Sequence, residues 1–337
     1  MKVLVTGATG LVGGAVAREL RARGHAVRIL ARGASDTSAL EPLGLEVARG
    51  DVLDPGAVRG ALAGCEAVVH VAGIATIGQD PPERLLAVNV GGVEVVLGAA
   101  LEAGVSRAVL TSSSSAMGGT RRPALLDETT DGNAEALGVP YFVSKLRGER
   151  AGLALAARGL PLVVVRPSYV LGPGDVHGSS ASTVLALARR RIPAVVEGGA
   201  SFCDVRDVAR GHAEALERGR VGEVYLLGGH NLPITELAAR VAALAGVPPP
   251  PRVPYAVAYA FAAAQELAAR LAGRRPAMTR DLVRSAALYT YASSAKAERE
   301  LGYAIRPFDE MIADTLRDAL ARGRLRPETA ELRALSG

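Results

Sequence analysis

The chain has 337 residues, 49% hydrophobic and 22% charged, a balance that excludes a disordered chain and allows one large core or two unequal lobes. Aromatic residues make up 4% and Trp is absent, so the core must be packed from Ala, Val and Leu. Lys and Arg number 39 against 34 Asp and Glu, a net charge of +5, but the charges are dispersed. The longest basic run, Arg189-Arg190-Arg191, has no aromatic neighbours to stack on bases and reads as a solvated helix end, which excludes a nucleic-acid partner.

Cys65 and Cys203 stand far apart in apolar stretches, as reduced, buried thiols do. His25, His70, His177, His212 and His230 show no metal-ligand spacing, so no metal is expected. The opening segment Met1 to Gly7 is broken by glycine too early for a signal peptide. The most apolar later stretch, Val253 to Ala264, ends after about a dozen residues, where a bilayer span needs roughly 20. The predicted location is cytoplasmic.

Short aliphatic runs recur along the first two-thirds: Val3 to Val5, Ala26 to Leu30, Leu45 to Ala48, Ala67 to Val71, Ala108 to Leu110 and Leu162 to Val165. Helix-like segments lie between most of them, such as Val12 to Ala22 and Leu85 to Ala103. That alternation predicts an α/β fold, a Rossmann-type doubly wound parallel sheet over residues 1–170. A smaller substrate lobe is expected over 171–322, some of its segments returning to the first domain. Its helical stretches are Thr183 to Arg190, Val205 to Glu217, Thr235 to Ala245, Val257 to Leu271 and Phe308 to Arg322, interrupted by the stiff Val247-Pro248-Pro249-Pro250-Pro251. A loosely held tail is expected over 323–337.

The first apolar run enters Gly7-Ala8-Thr9-Gly10-Leu11-Val12-Gly13. Glycines there let the backbone turn, approach a pyrophosphate and pack helix on strand, while the helix N-terminus offers free N–H groups to the phosphates. An NAD site would place an acid about 20 residues further on, for the ribose 2′-hydroxyl. Ala31-Arg32 stands there instead, and a guanidinium suits a 2′-phosphate, so NADP is favoured with NAD still allowed. Asp51 and Val52 can border the adenine, and Val71, Ala72 and Gly73 can admit backbone close to the ribose. Asn89, an amide in an apolar run, needs partners; bridging two strands and acting in catalysis both remain open.

The fifth apolar run ends in Thr111-Ser112-Ser113, and Tyr141 and Lys145 follow at i, i+4 on one helix face. A phenol with an ordinary pKa of about 10 exchanges protons slowly near neutrality. A nearby ammonium and the positive nicotinamide are expected to lower that pKa, letting Tyr141 handle the proton while hydride moves. A serine hydroxyl beside it can hold the substrate oxygen.

Together these segments resemble the extended short-chain dehydrogenase/reductase family, the NAD-dependent epimerase/dehydratase group. The likeness runs from Thr6-Gly7-Ala8-Thr9-Gly10 through His70-Val71-Ala72, Asn89-Val90-x-Gly92 and Tyr141-x-x-Ser144-Lys145 to Arg166-Pro167-Ser168-Tyr169-Val170 and the segment from Ser293 to Tyr303. Within the family it is most similar to dihydroflavonol-reductase-like proteins and hopanoid-associated sugar epimerases. The resemblance implies that Ser113 joins Tyr141 and Lys145 in catalysis and that Lys145 also binds the nicotinamide ribose. It further implies that Thr111 and Ser112 border the cofactor and that Pro167, Ser168, Tyr169 and Val170 line the nicotinamide. It departs where nucleotide-sugar members carry a diphosphate-binding arginine: Ala200 stands there.

Three readings compete. One is an NADP-dependent reductase of a ketone or aldehyde. The second is a nucleotide-sugar epimerase or dehydratase holding its nucleotide throughout. The third is a dinucleotide sensor without catalysis, which could dispense with the Tyr–Lys pair this chain keeps. Arg32 and Ala200 favour the first. The expected partner is a small carbonyl or alcohol substrate, with a homodimer allowed. Tyr169, His177, Tyr255, Tyr259 and Phe261 are candidates for a substrate pocket, although helical spacing assigns such residues more often to core.

Overall fold

β1 (Lys2–Thr6), β2 (Ala26–Ala31), β3 (Glu46–Arg49), β4 (Ala67–His70) and β5 (Arg107–Thr111) form where the short aliphatic runs predict strands. Between them lie α1 (Leu11–Ala22), α2 (Pro55–Leu62), α3 (Pro82–Leu86) and α4 (Gly92–Glu102). The computed structural model describes residues 1–175 and 181–336; His177, a pocket candidate, lies outside them. After β5 come β6 (Leu125–Leu126), α5 (Ala134–Leu137), α6 (Pro140–Ala157), β7 (Leu162–Pro167) and β8 (Tyr169–Leu171). Then follow α7 (Ala181–Ala188), β9 (Gly199–Asp204), α8 (Val205–Arg218), β10 (Val224–Leu227), β11 (His230–Pro233) and α9 (Ile234–Ala245). The chain closes with α10 (Tyr255–Leu271), α11 (Arg280–Ala286), β12 (Tyr289–Ala292), α12 (Ala295–Leu301), α13 (Phe308–Ala321) and α14 (Ala330–Ser336).

Seven strands make one sheet in the order β3-β2-β1-β4-β5-β7-β10, and every neighbouring pair is parallel. Helices cover both faces, which is why whole runs are apolar instead of alternating. Val3, Val5, Val69, Val109 and Val163 pack toward α1 and α8, while Leu4, Val68, Leu110 and Val164 pack toward α2, α4 and α6. α8 and β10 arise beyond residue 171 yet complete this layer. Strand order reverses between β1 and β4, and open α/β sheets bind ligands in the crevice beyond the strand C-termini at such a point.

A second sheet, β11-β9-β12-β6 with β8 beside β9, belongs to the smaller lobe. Its core gathers Phe202, Leu237, Val241, Phe308, Ile312 and Leu316. The tail joins it, where the sequence predicts loose attachment: Leu325 and Leu332 are buried, and the Thr329 hydroxyl donates to the Ala245 carbonyl at 2.7 Å. Leu325 precedes α14 and Leu332 lies within it, so no one helix links the two and their burial is invisible before the lobe is assembled. Among the described residues the one helix long and apolar enough to cross a membrane runs from Pro82 to Glu102. Val93, Val96, Leu97 and Ala100 of it are buried against the parallel sheet and α2, as in a core helix.

Candidate active site

β1 delivers the chain into the glycine turn. Gly7 adopts φ +72°, and a Cβ on it would lie 2.7 Å from the Ala72 nitrogen. A Cβ on Gly13 would collide with the Gly7 carbonyl oxygen, so the helix closes on the loop only without a side chain. Gly10 N–H donates back to Gly7 at 3.0 Å, with Thr9 half-buried at the turn. α1 then begins at Leu11 and Val12 with no side-chain cap and no acid in its first turn. Its N–H groups and dipole are left for an anion, which fits a dinucleotide pyrophosphate.

The floor of this cradle is tied by Thr6, one of the residues that sequence reasoning passed over. Its hydroxyl accepts from the N–H groups of Val71 and Ala72, both at 3.2 Å, and so donates to His70 Nδ1 at 2.8 Å. His70 therefore carries its proton on Nε2. Burial, with the charge of Lys145 adding to it, holds its pKa down to about 3. The signal available beforehand was a polar residue ending each of two neighbouring apolar strands.

Arg32 is exposed directly after β2. The loop it opens is ordered by Arg49, a second residue missed from sequence. Arg49 donates to the carbonyls of Arg32 (3.2 Å) and Ser35 (3.1 Å) and to the Thr37 hydroxyl (3.2 Å). Parallel register sets Arg49 opposite Ala31, which only strand pairing reveals. Asp51 is exposed, its carboxylate accepting from Leu53 N–H at 3.0 Å, and Val52 lies against Gly92.

Asn89 sits in a π-helical turn, Ala87–Gly91, that interrupts the expected helix from Leu85 to Ala103. Its amide bridges the loop after β4 to α6, and no second strand is involved. Oδ1 accepts from Ile74 N–H (2.8 Å), while Nδ2 donates to the Ile74 carbonyl and the Ser144 hydroxyl (both 2.9 Å). A Cβ on Gly73 would fall 2.9 Å from that Oδ1 and 3.8 Å from Lys145 Nζ, so a small residue is required there.

Ser113, Tyr141 and Lys145 converge beyond the end of β5. Lys145 Nζ donates to the Thr111 carbonyl at 2.9 Å, and the Ser113 hydroxyl stands near the Tyr141 phenol. Burial raises the Tyr141 phenol above its ordinary value, with Ser113 drawing it partly back. The expectation was a downward shift. That expectation includes the positive nicotinamide; from the protein groups alone the ammonium is directed at Thr111 and desolvation dominates. Desolvation likewise lowers Lys145 to about 8 against the attraction of Glu149. Glu149, one turn beyond Lys145, forms a bidentate ion pair with Arg166 at 2.8 and 2.5 Å. Sequence reasoning missed this pair, although Tyr141, Lys145 and Glu149 share the i, i+4 spacing.

Other candidates fall less directly on the site. Thr111 offers its carbonyl, but its hydroxyl turns to the opposite face of the sheet and His212 Nε2 at 2.9 Å. Ser112 is buried beside Ser113, with its Oγ unbonded among the described residues. Pro167 ends β7, Ser168 N–H donates to Leu227, and Val170 is buried. Tyr169 turns its ring against Phe202 and its hydroxyl to Thr183 at 2.7 Å, inside the smaller lobe. Tyr255 and Phe261 are exposed on α10, whereas Tyr259, beside Tyr255, packs partly buried against Val196, Ala258, Ala262 and Val283.

A glycine turn at the reversal point of a parallel sheet, with Ser113, Tyr141 and Lys145 beyond the neighbouring strand end, defines a Rossmann-type NAD(P)-dependent oxidoreductase. Residues 3–228 match the NAD dependent epimerase/dehydratase family, and the chain belongs to it. A Synechocystis sp. protein with the provisional name dihydroflavonol 4-reductase is 34% identical over 318 residues, 93% of this chain and 92% of that one. The crystal structure of gox2253 superposes with a TM-score of 0.85 at 39% identity, covering 96% of this chain and 99% of that one. The Thermus thermophilus UDP-glucose 4-epimerase complex with NAD gives a TM-score of 0.74 at 25% identity, covering 94% and 98%.

Proposed function

We propose that the protein is an NADP-dependent reductase of a ketone or aldehyde, with Ser113, Tyr141 and Lys145 as catalytic residues. The convergence of those three side chains at the strand ends carries the reading. The Ser113 and Tyr141 hydroxyls hold the carbonyl oxygen. When bound, the nicotinamide supplies the hydride. Tyr141 Oη, kept protonated by burial, gives its proton to the oxygen as negative charge develops there. Lys145 Nζ, fixed on the Thr111 carbonyl, stabilises the phenolate left behind.

Two positions support reduction over sugar epimerisation. Ala200 is buried in the apolar core of the smaller lobe, so no cation stands there for a sugar diphosphate. Arg32 is exposed at the ribose end of the cradle, on a loop pinned by Arg49, and suits a 2′-phosphate. The test is a panel of ketones and aldehydes followed by NADPH absorbance. Stoichiometric NADPH consumption is expected. Interconversion of a nucleotide sugar without net NADPH loss would establish the epimerase instead.

A further inference from the structure

Five of the twelve large apolar side chains exposed among the described residues lie on one helix, α10. Val257, Phe261, Leu267 and Leu271 are between 49% and 81% exposed, and Tyr255 opens the same helix half in solvent. They share its outer face with exposed alanines repeating every fourth residue from Ala256 to Ala268. The inner face is different: Ala258 and Ala262 are buried against Val196 and Val283. The polar residues of α10, Gln265, Glu266 and Arg270, lie off the outer face at its flanks. Five turns of helix therefore present an uninterrupted apolar strip about 25 Å long.

Charge decides what covers it. Arg270, Arg274 and Arg275, at and just beyond the helix end, are exposed and have no acidic partner among the described residues. The acids nearby are already engaged: Glu266 with Arg280, Asp281 with Arg284 and Glu197 with Arg252. A symmetric face-to-face pairing of α10 with a second copy would set these arginines against like charges, because the acids on this face are already engaged. An anionic lipid surface supplies both an apolar layer for the strip and phosphates for the arginines.

We infer that α10 is a docking helix that lies in the plane of an anionic bilayer surface, with its outer strip in the acyl boundary and Arg270, Arg274 and Arg275 on the headgroups. With Glu266 and Arg270 along 17 residues, α10 rests on the membrane and does not cross it. The placement bears on the site. α11, packed on α10, is capped by Thr279, whose hydroxyl fills the space where a Cβ on Gly78 would be. Ile77, next to it, packs with Phe142 beside Tyr141. The docking helix is thereby coupled through one loop to the catalytic tyrosine, an arrangement suited to an apolar carbonyl substrate drawn from the lipid phase. The lipid contact stands independently of the nicotinamide chemistry.

The experiment is co-sedimentation of the full chain with phosphatidylcholine vesicles with and without phosphatidylglycerol, alongside sedimentation velocity without lipid. Wild type is expected to pellet with the phosphatidylglycerol vesicles only, and less so at high salt. Leu267→Glu/Leu271→Glu and Arg274→Glu/Arg275→Glu should each lower that partition by at least about tenfold. Both pairs should keep the wild-type melting temperature and NADPH affinity, since none of these residues reaches the cradle. Wild type left in the supernatant, or pelleting equally with both vesicle types, overturns the inference. So does a dimer that the leucine pair disperses while lipid binding is absent, which would give the strip to a second copy.

Discussion

Tyr141 and Lys145 are neighbours on α6 with separable roles, and truncating each tests a different contact. Tyr141→Phe removes one hydroxyl and keeps the ring packed on Phe142. Turnover should fall by at least about 10²–10⁴-fold with NADPH affinity nearly unchanged; single-turnover kinetics and a cofactor titration check both halves. Wild-type rates from this variant would remove Tyr141 from the chemistry. Lys145→Met should lower both turnover and cofactor affinity on the reading that the same ammonium also binds the nicotinamide ribose. On the proposed NADP reading, Arg32→Asp exchanges a charged hydrogen bond to the 2′-phosphate, worth about 1.5–3 kcal/mol, for repulsion. The NADP/NAD affinity ratio should drop by at least about tenfold at matched ionic strength. An unchanged ratio would make Arg32 a surface residue and return weight to the epimerase reading.

At the scale of elements, α6 is held at three points along its length. Asn89 meets it at Ser144, Lys145 reaches the end of β5, and Glu149 grips Arg166 at the end of β7. The last pair also tunes the second. The Glu149 carboxylate favours the charged form of Lys145, whose pKa desolvation has brought down to about 8. The ammonium is present below that value and lost above it, so reductive kcat/KM should fall as pH rises through about 8. Glu149→Gln removes the favouring charge, lowers the Lys145 pKa further and should move this alkaline limb to lower pH. A pH–rate profile reads the shift directly. A limb that stays in place would show that Glu149 only braces the helix. The same variant leaves Arg166 without its buried counter-charge, so its melting temperature should fall as well.

For the whole molecule, two buried histidines set the acid side of the stability curve. His70 and His212 have pKa values lowered by burial to about 3 and about 4, against about 6.5 in the unfolded chain. Unfolding at mildly acidic pH therefore takes up protons. Stability is full above about pH 6.5 and falls as pH drops toward 4, by about 1.4 kcal/mol per pH unit for each histidine. Denaturant melts between pH 7 and 4 should show that slope, and His212→Gln should reduce it. A flat profile would mean that neither ring is neutral in the fold.

The sequence by itself determined the local units. β-branched runs, helical spacing and the glycines of the first turn specify parallel strands, covering helices and a phosphate-binding turn, because each depends on backbone sterics and periodicity within a few residues. Tyr141 and Lys145 were legible for the same reason, one helical turn apart. What only the tertiary structure decided lies between elements distant in sequence. Arg49 orders the Arg32 loop across two strands, and Arg166 meets Glu149 across 17 residues. Thr6 fixes the His70 tautomer across 64, and Leu332 returns to complete a core begun at Leu171. The direction of the Tyr141 shift belongs here too, since desolvation depends on everything packed around the ring. The same holds for Phe261, a pocket or core candidate by its spacing: only the assembled lobe shows it exposed, with nothing among the described residues covering it.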